Sequence, residues 1–128
     1  MASIYTQSCS GGLYSGDRLS TSLQVGAGAQ AQVTSQASTI IHRATYGGAV
    51  QSCDIGAGPG ALVEYLPEAT ILFPGARLRS STRLQVDPTA SAILFDSFLA
   101  HDPTGSGEAF EVFENDLQVQ TPEGRPLA

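Results

Sequence analysis

Carboxylates offer the most chemistry in this sequence, and the most suggestive pair lies in VEYLPEATILFPGARL, residues 63–78, where Glu64 and Glu68 flank Pro67. Two carboxyl groups facing across a cleft can act as general acid and base or nucleophile. That arrangement would suit a β-helical carbohydrate hydrolase or lyase, with Asp96 as a further candidate. Proline interrupts the two-residue strand period between them, so spacing alone does not set their relative facing. Metal chemistry has less to work with. His42 and His101 are the only histidines and stand far apart, with no HxH or HExxH, whereas zinc and nickel enzymes gather several His or Cys ligands. His42 reads as a structural or surface residue, and His101 has Asp102 as a local partner. Cys9 and Cys53 form no CxxC; reduced thiols fit them, with a disulfide as the alternative. No GxSxG marks a nucleophile. In GGLYSGD, residues 11–17, Asp17 stands where a phosphate loop needs a cation,. Gly11, Gly12 and Gly16 therefore read as a tight turn, and Asp17 as a polar anchor or cation contact.

The elements that would position these residues are β-strands. Three segments share one grammar: LQVGAGAQAQVTSQA from Leu23, CDIGAGPGALVEYLP from Cys53 and LQVDPTASAILFDSF from Leu84. A strand ends at Val25, Ile55 or Val86, a turn of small residues or proline follows, and a second strand passes through Val33, Val63 or Leu94. A fourth start at Leu117 repeats the opening. A strand-turn-strand unit recurring every ~30 residues predicts stacked units that bury their faces on one another. The expected fold is all-β, a solenoid-like (β-helical) stack of sheets over one domain, residues 1–128; an ordinary β-sandwich is the alternative. VEYLPEATILFPGARL reads as the second strand of the middle repeat, bent at Pro67, continuing through Phe73 to a turn at Pro74 and Gly75. SQASTIIHR, from Ser35, favours a strand or bent segment through Thr39, Ile40 and Ile41. EAFEVFEND, from Glu108, reads as an irregular strand, and Asp102–Gly107 as the most flexible connection.

Sixteen alanines and fourteen glycines require an interior of small side chains and closely spaced layers. Six arginines, no lysine and twelve acidic residues give a net charge of −6. That balance argues against nucleic acid and against an anionic membrane surface. Arg77, Arg79 and Arg83 occupy one face of a strand. They read as a solvated face or as a docking strip for an acidic partner. Asp102, Glu108, Glu111, Glu114 and Asp116 form an acidic segment. No signal peptide or apolar run of ~18 residues is visible, so a cytoplasmic protein is expected.

GGLYSGDRL, TSQASTIIHRA, LVEYLPEATILFPGARL and GSGEAF, taken in order, resemble the successive motifs of the UreD (UreH) family of urease accessory proteins. The family's Gly-Gly-x-x-x-Gly-Asp falls on Gly11, Gly12, Gly16 and Asp17. Its Thr-x-Gln-Ala-x-Thr falls on Thr34, Gln36, Ala37 and Thr39. Ser15 replaces a frequent Gly, Ile40 a Lys and His42 a Tyr. Family members are longer, so the expectation is a truncated or divergent member. The resemblance implies helically wound β-sheets and a non-enzymatic maturation factor. Such a factor works with UreF, UreG and apo-urease to deliver nickel, without a permanently bound cofactor. It also implies an internal polar passage, with Asp17, Glu64, Glu68 and Glu108 as weak nickel-passage candidates and Thr34, Ser35, Arg77 and Arg79 as passage or partner-facing residues. Pro67, Pro74 and Gly75 join the three motif glycines as structural positions. A purely structural, self-assembling solenoid is the remaining alternative.

Overall fold

A computed structural model describes residues 1–128. Eleven strands and no helix make up the chain: β1 (Ala2–Thr6), β2 (Arg18–Val25), β3 (Gln30–Ser35), β4 (Thr39–Ile41), β5 (Ala49–Ala57), β6 (Leu62–Tyr65), β7 (Thr70–Leu72), β8 (Arg77–Val86), β9 (Ser91–Leu94), β10 (Phe98–Ala100) and β11 (Val112–Gln120). They lie in three sheets, ordered β1-β3-β6-β9, β10-β7-β4 and β11-β8-β5-β2. Every ladder between strands is parallel. The chain visits the three sheets in turn and winds a β-solenoid of about four coils, each a neighbour to the next. In the first coil a parallel bridge between Leu13 and Ile41 takes the place of a strand in the β4 sheet. The absence of hairpins excludes the sandwich.

Three features of the sequence reading are corrected. Each coil after the first has three strands, not two. VEYLPEATILFPGARL is not one bent strand: β6 and β7 belong to different sheets, with Leu66–Ala69 turning the corner between them. The register also differs from the motif alignment. Val25 pairs with Ala57, not Ile55, and Val33 with Tyr65, not Val63. Both slips are two residues, which preserves side-chain parity, so an alternating pattern cannot detect them.

Apolar inward columns form two cores. Val25, Ala31, Cys53, Ile55, Ala57, Ala61, Val63 and Leu84 make one, and Leu13, Ile41, Ala49, Leu72, Ala76 and Leu78 the other. Alanine and cysteine fill many of these places, letting facing sheets approach closely. Turns join the strands: Ala76 N–H donates to Phe73 O at 3.0 Å across Pro74 and Gly75.

The Asp102–Gly107 connection is more organised than its composition suggests. Asp102 accepts hydrogen bonds from the Thr104 N–H and hydroxyl at 3.1 and 3.0 Å, and from the Ser106 hydroxyl and Gly107 N–H at 3.0 and 2.8 Å. Desolvation pushes this carboxyl's pKa up. The bonds from Gly107, Ser106 and Thr104 outweigh it and hold the pKa down at about 2.

Ile55 is 2% exposed. Ile55→Ala should therefore cost about 2–5 kcal/mol in urea unfolding, as buried large-to-small changes do. Because Asp102 has a depressed folded-state pKa, its contribution to loop order is fully present above about pH 4 and is lost as pH falls through about 2,. Hydrogen exchange should show the Thr104 and Gly107 amides losing protection across that window, and losing it at neutral pH in Asp102→Ala.

Candidate functional site

The inward face of the β2-β5-β8-β11 sheet changes character along its length. Register stacks Leu19, Gln51, Ser80 and Asn115 in one column, and Thr21, Cys53, Thr82 and Leu117 in the next. Apolar columns flank them: Ala49, Leu78 and Phe113 on one side, Leu23, Ile55, Leu84 and Val119 on the other. Opposite the polar columns is the corner between the other two sheets, carrying Ser35–Ser38, Pro67, Glu68, Phe95 and Asp96. Between them lies a cavity of about 680 Å³ whose lining draws on all four coils. It separates the two apolar cores.

Polarity within this cavity is graded. Asp17, Glu68 and Asp96 line it and are all exposed; Gln51, Ser80, Thr82 and Thr70 are partly buried along its inner length. Carboxylates therefore stand where water reaches, whereas neutral oxygens occur both there, at Ser8, Ser10, Gln36 and Asn115, and where it is restricted, at Gln51, Ser80 and Thr82. Arg18 is the one cationic side chain of the lining. Asp17 also anchors its turn, accepting from Tyr14 N–H at 2.9 Å. The backbone N–H of Glu68 donates to the Ser35 hydroxyl at 2.8 Å, tying two coils together at the corner. The Asn115 amide donates to the Asp96 carboxylate, from the sheet to the corner. Gln51 Oε1 is the single buried side-chain nitrogen or oxygen without a hydrogen-bond partner.

Tyr65 lines the cavity and Cys53 stands behind it, in the apolar core. Burial pushes the thiol's pKa up, partly offset by the hydrogen bond with Tyr65. Burial, and then the neighbouring Cys53, push the Tyr65 phenol up as well. Both stay neutral near pH 7. Cys9 is exposed and both thiols are free, so no disulfide forms.

The other candidate residues lie elsewhere. Glu64 points outward, since Val63 and Tyr65 on either side of it pack against the core. It accepts from the Gln32 amide at 3.0 Å. Glu64 and Glu68 therefore do not share a cleft. Glu108 pairs with Arg43. Thr34 donates to Leu66 O at 2.7 Å outside the cavity, while Ser35 lines it. Arg77 and Arg79 lie on the outer sheet face and pair with Glu111 and Glu114, and Arg83 with Asp54. Two members of the acidic segment, Glu111 and Glu114, are thus partners of this arginine face. His42 stacks on Tyr14, with centroids 4.2 Å apart, and meets the edge of Phe73, which in turn contacts His101. No three His, Cys, Asp or Glu side chains converge to hold a metal.

Sequence reasoning placed Asp17, Ser35 and Glu68 among passage candidates but did not include Gln51, Ser80, Thr82 or Asn115. Their signal was present as polar residues at inward-parity positions of otherwise apolar strands. It becomes legible only once the coil register is known.

A model of the family described as UreD urease accessory protein matches residues 1–128. The chain is 43% identical over 128 residues to the urease accessory protein UreD 1 of Pseudomonas syringae pv. syringae (strain B728a), covering 100% of this chain and 45% of that protein. It is 40% identical over 127 residues to the urease accessory protein UreD 1 of Methylorubrum extorquens (strain PA1), covering 99% and 43%. Against the urease accessory protein UreD 3 of Bradyrhizobium sp. (strain ORS 278) the identity is 38% over 127 residues, covering 99% and 45%. The chain spans less than half the length of these curated relatives.

The glycine turn at the cavity wall generates a test. Gly12 has φ of 121°, and a Cβ there would lie 2.2 Å from Ile40 O, the acceptor of the Leu13 N–H. A Cβ on neighbouring Gly11 meets only the Tyr14 hydroxyl at 3.3 Å. Thermal unfolding should show Gly12→Ala destabilised by about 1–3 kcal/mol or more, and Gly11→Ala by less.

Proposed function

The chain belongs to the family of UreD urease accessory proteins, and from that premise we propose that it serves urease maturation as a non-catalytic scaffold for nickel delivery. In this reading it works in the cytoplasm with UreF, UreG and apo-urease, turns over no substrate and keeps no permanent cofactor. Nickel is its cargo.

What carries the reading is the axial cavity with exposed carboxylates and neutral inner oxygens. Asp17, Glu68 and Asp96 outnumber Arg18, the one cation of the lining, and a cleft with net negative charge draws a divalent cation by raising local counter-ion concentration. Isolated oxygen donors hold nickel weakly compared with imidazole or thiolate. Weak holding suits a protein that must release its ion to another. A tight site would compete with urease for it.

Co-expression with a urease gene set lacking its own family member provides the test. With the chain present, urease should gain nickel, measured by mass spectrometry of the purified enzyme, and UreF and apo-urease should co-purify with the chain. Replacing the lining acids together, by Asp17→Asn, Glu68→Gln and Asp96→Asn, should lower nickel content about tenfold, the lower end of electrostatic focusing. Glu64→Gln, on the outer face, should leave it unchanged. If urease gains no nickel and neither protein co-purifies, the reading is wrong.

A further inference from the structure

We infer that the middle of the cavity carries a divalent cation with its water shell intact, contacting those waters through neutral side-chain oxygens centred on Gln51. The inference rests on the passage reading above and specifies the form in which the ion travels.

Three observations lead to it. First, an ion stripped of water needs six or more close ligands or strong donors in exchange, and no cluster of His, Cys, Asp or Glu offers them. The inner lining supplies uncharged hydroxyls and amides at Gln51, Ser80 and Thr82. Bare-ion burial costs several kcal/mol beyond what such groups return. Secondly, the space suffices. Six waters at ~30 Å³ each occupy roughly 180 Å³, against a cavity of about 680 Å³.

Thirdly, the hydrogen-bond polarity is right. A hydrated cation points its water hydrogens outward and so requires acceptors from the wall. Gln51 Oε1 is an enclosed acceptor with no donor anywhere in the protein, a state that disfavours the fold. Gln51 belongs to the cavity lining. Oε1 itself is enclosed, and a turn about the last side-chain bond that exchanges it with Nε2, the amide atom that is not enclosed, would present the carbonyl to a metal-bound water. Ser80 stands beside Gln51 on the next coil, and Asn115 beyond it. The same type of contact therefore repeats over three of the four coils, with Leu19 in that position of the first, so an ion can advance along that stretch without exchanging its inner ligands.

Cobalt(III) hexaammine, which has the size and outward donors of a hexahydrated ion but does not shed its ligands, distinguishes the alternatives. Aqueous manganese(II), which can shed water, serves as the comparison. Amide resonances of the isotopically labelled chain are followed during each titration. Saturable shifts at Gln51, Ser80 and Asn115 with the hexaammine are expected. In Gln51→Leu its affinity should fall about fivefold, as the loss of one hydrogen bond would give. If manganese broadens these resonances while the hexaammine leaves them unmoved, the ion sheds its water; the inference fails and the passage reading survives. If neither probe reaches them, both fail. Unchanged hexaammine affinity in a folded Gln51→Leu removes Gln51 from the contact.

Discussion

Parallel hydrogen bonding between successive coils is the constraint from which the other features follow. A parallel ladder places equivalent residues directly over one another, so each inward position becomes a column through the molecule. Columns of Val, Ile, Leu and Ala give the two cores. The Leu19-Gln51-Ser80-Asn115 column and its threonine-bearing neighbour give a polar stripe. A small change in side-chain type, repeated at the same position of each coil, is thereby amplified into a cavity.

The outer surface follows the same rule. Arg79 and Glu114 pair in register on adjacent strands, and Asp54 and Arg83 do likewise. Both ion pairs are more than half exposed, so each contributes only about 0–1 kcal/mol. The Asp54–Arg83 pair also favours the observed register, since a two-residue slip would set Asp54 opposite Ser81 or Gln85,. Aromatic rings make a comparable file from Tyr14 through His42 and Phe73 to His101, one ring per coil. The histidines, remote in sequence, thus become near neighbours in a structural stack.

Much of this was legible in the sequence. Alternating strands around GAGA, GAGP and DPTA, recurring at near-constant spacing, predict a stacked all-β fold, and the structure is a parallel β-solenoid. The third strand of each coil was harder to see. The strands β4, β7 and β10 have only three residues each, too few to display alternation. Asp102 shows the opposite limit. Its neighbours Thr104, Ser106 and Gly107 suggest a loose loop by composition, yet one carboxylate collects four of their hydrogen bonds.

The sequence by itself determined that the chain forms strands, that they repeat, that the layers lie close, and which family its motifs resemble. Those properties are local: periodicity, turn residues, side-chain size and short motifs are complete within a few positions. Only the tertiary structure decided that Glu68 faces a cavity while Glu64 faces outward, because the corner after Tyr65 resets the alternation. It alone decided that Gln51, Ser80 and Asn115 share a column. Their proximity arises from ladder register between distant segments, and a two-residue slip leaves the sequence pattern unchanged while moving every contact.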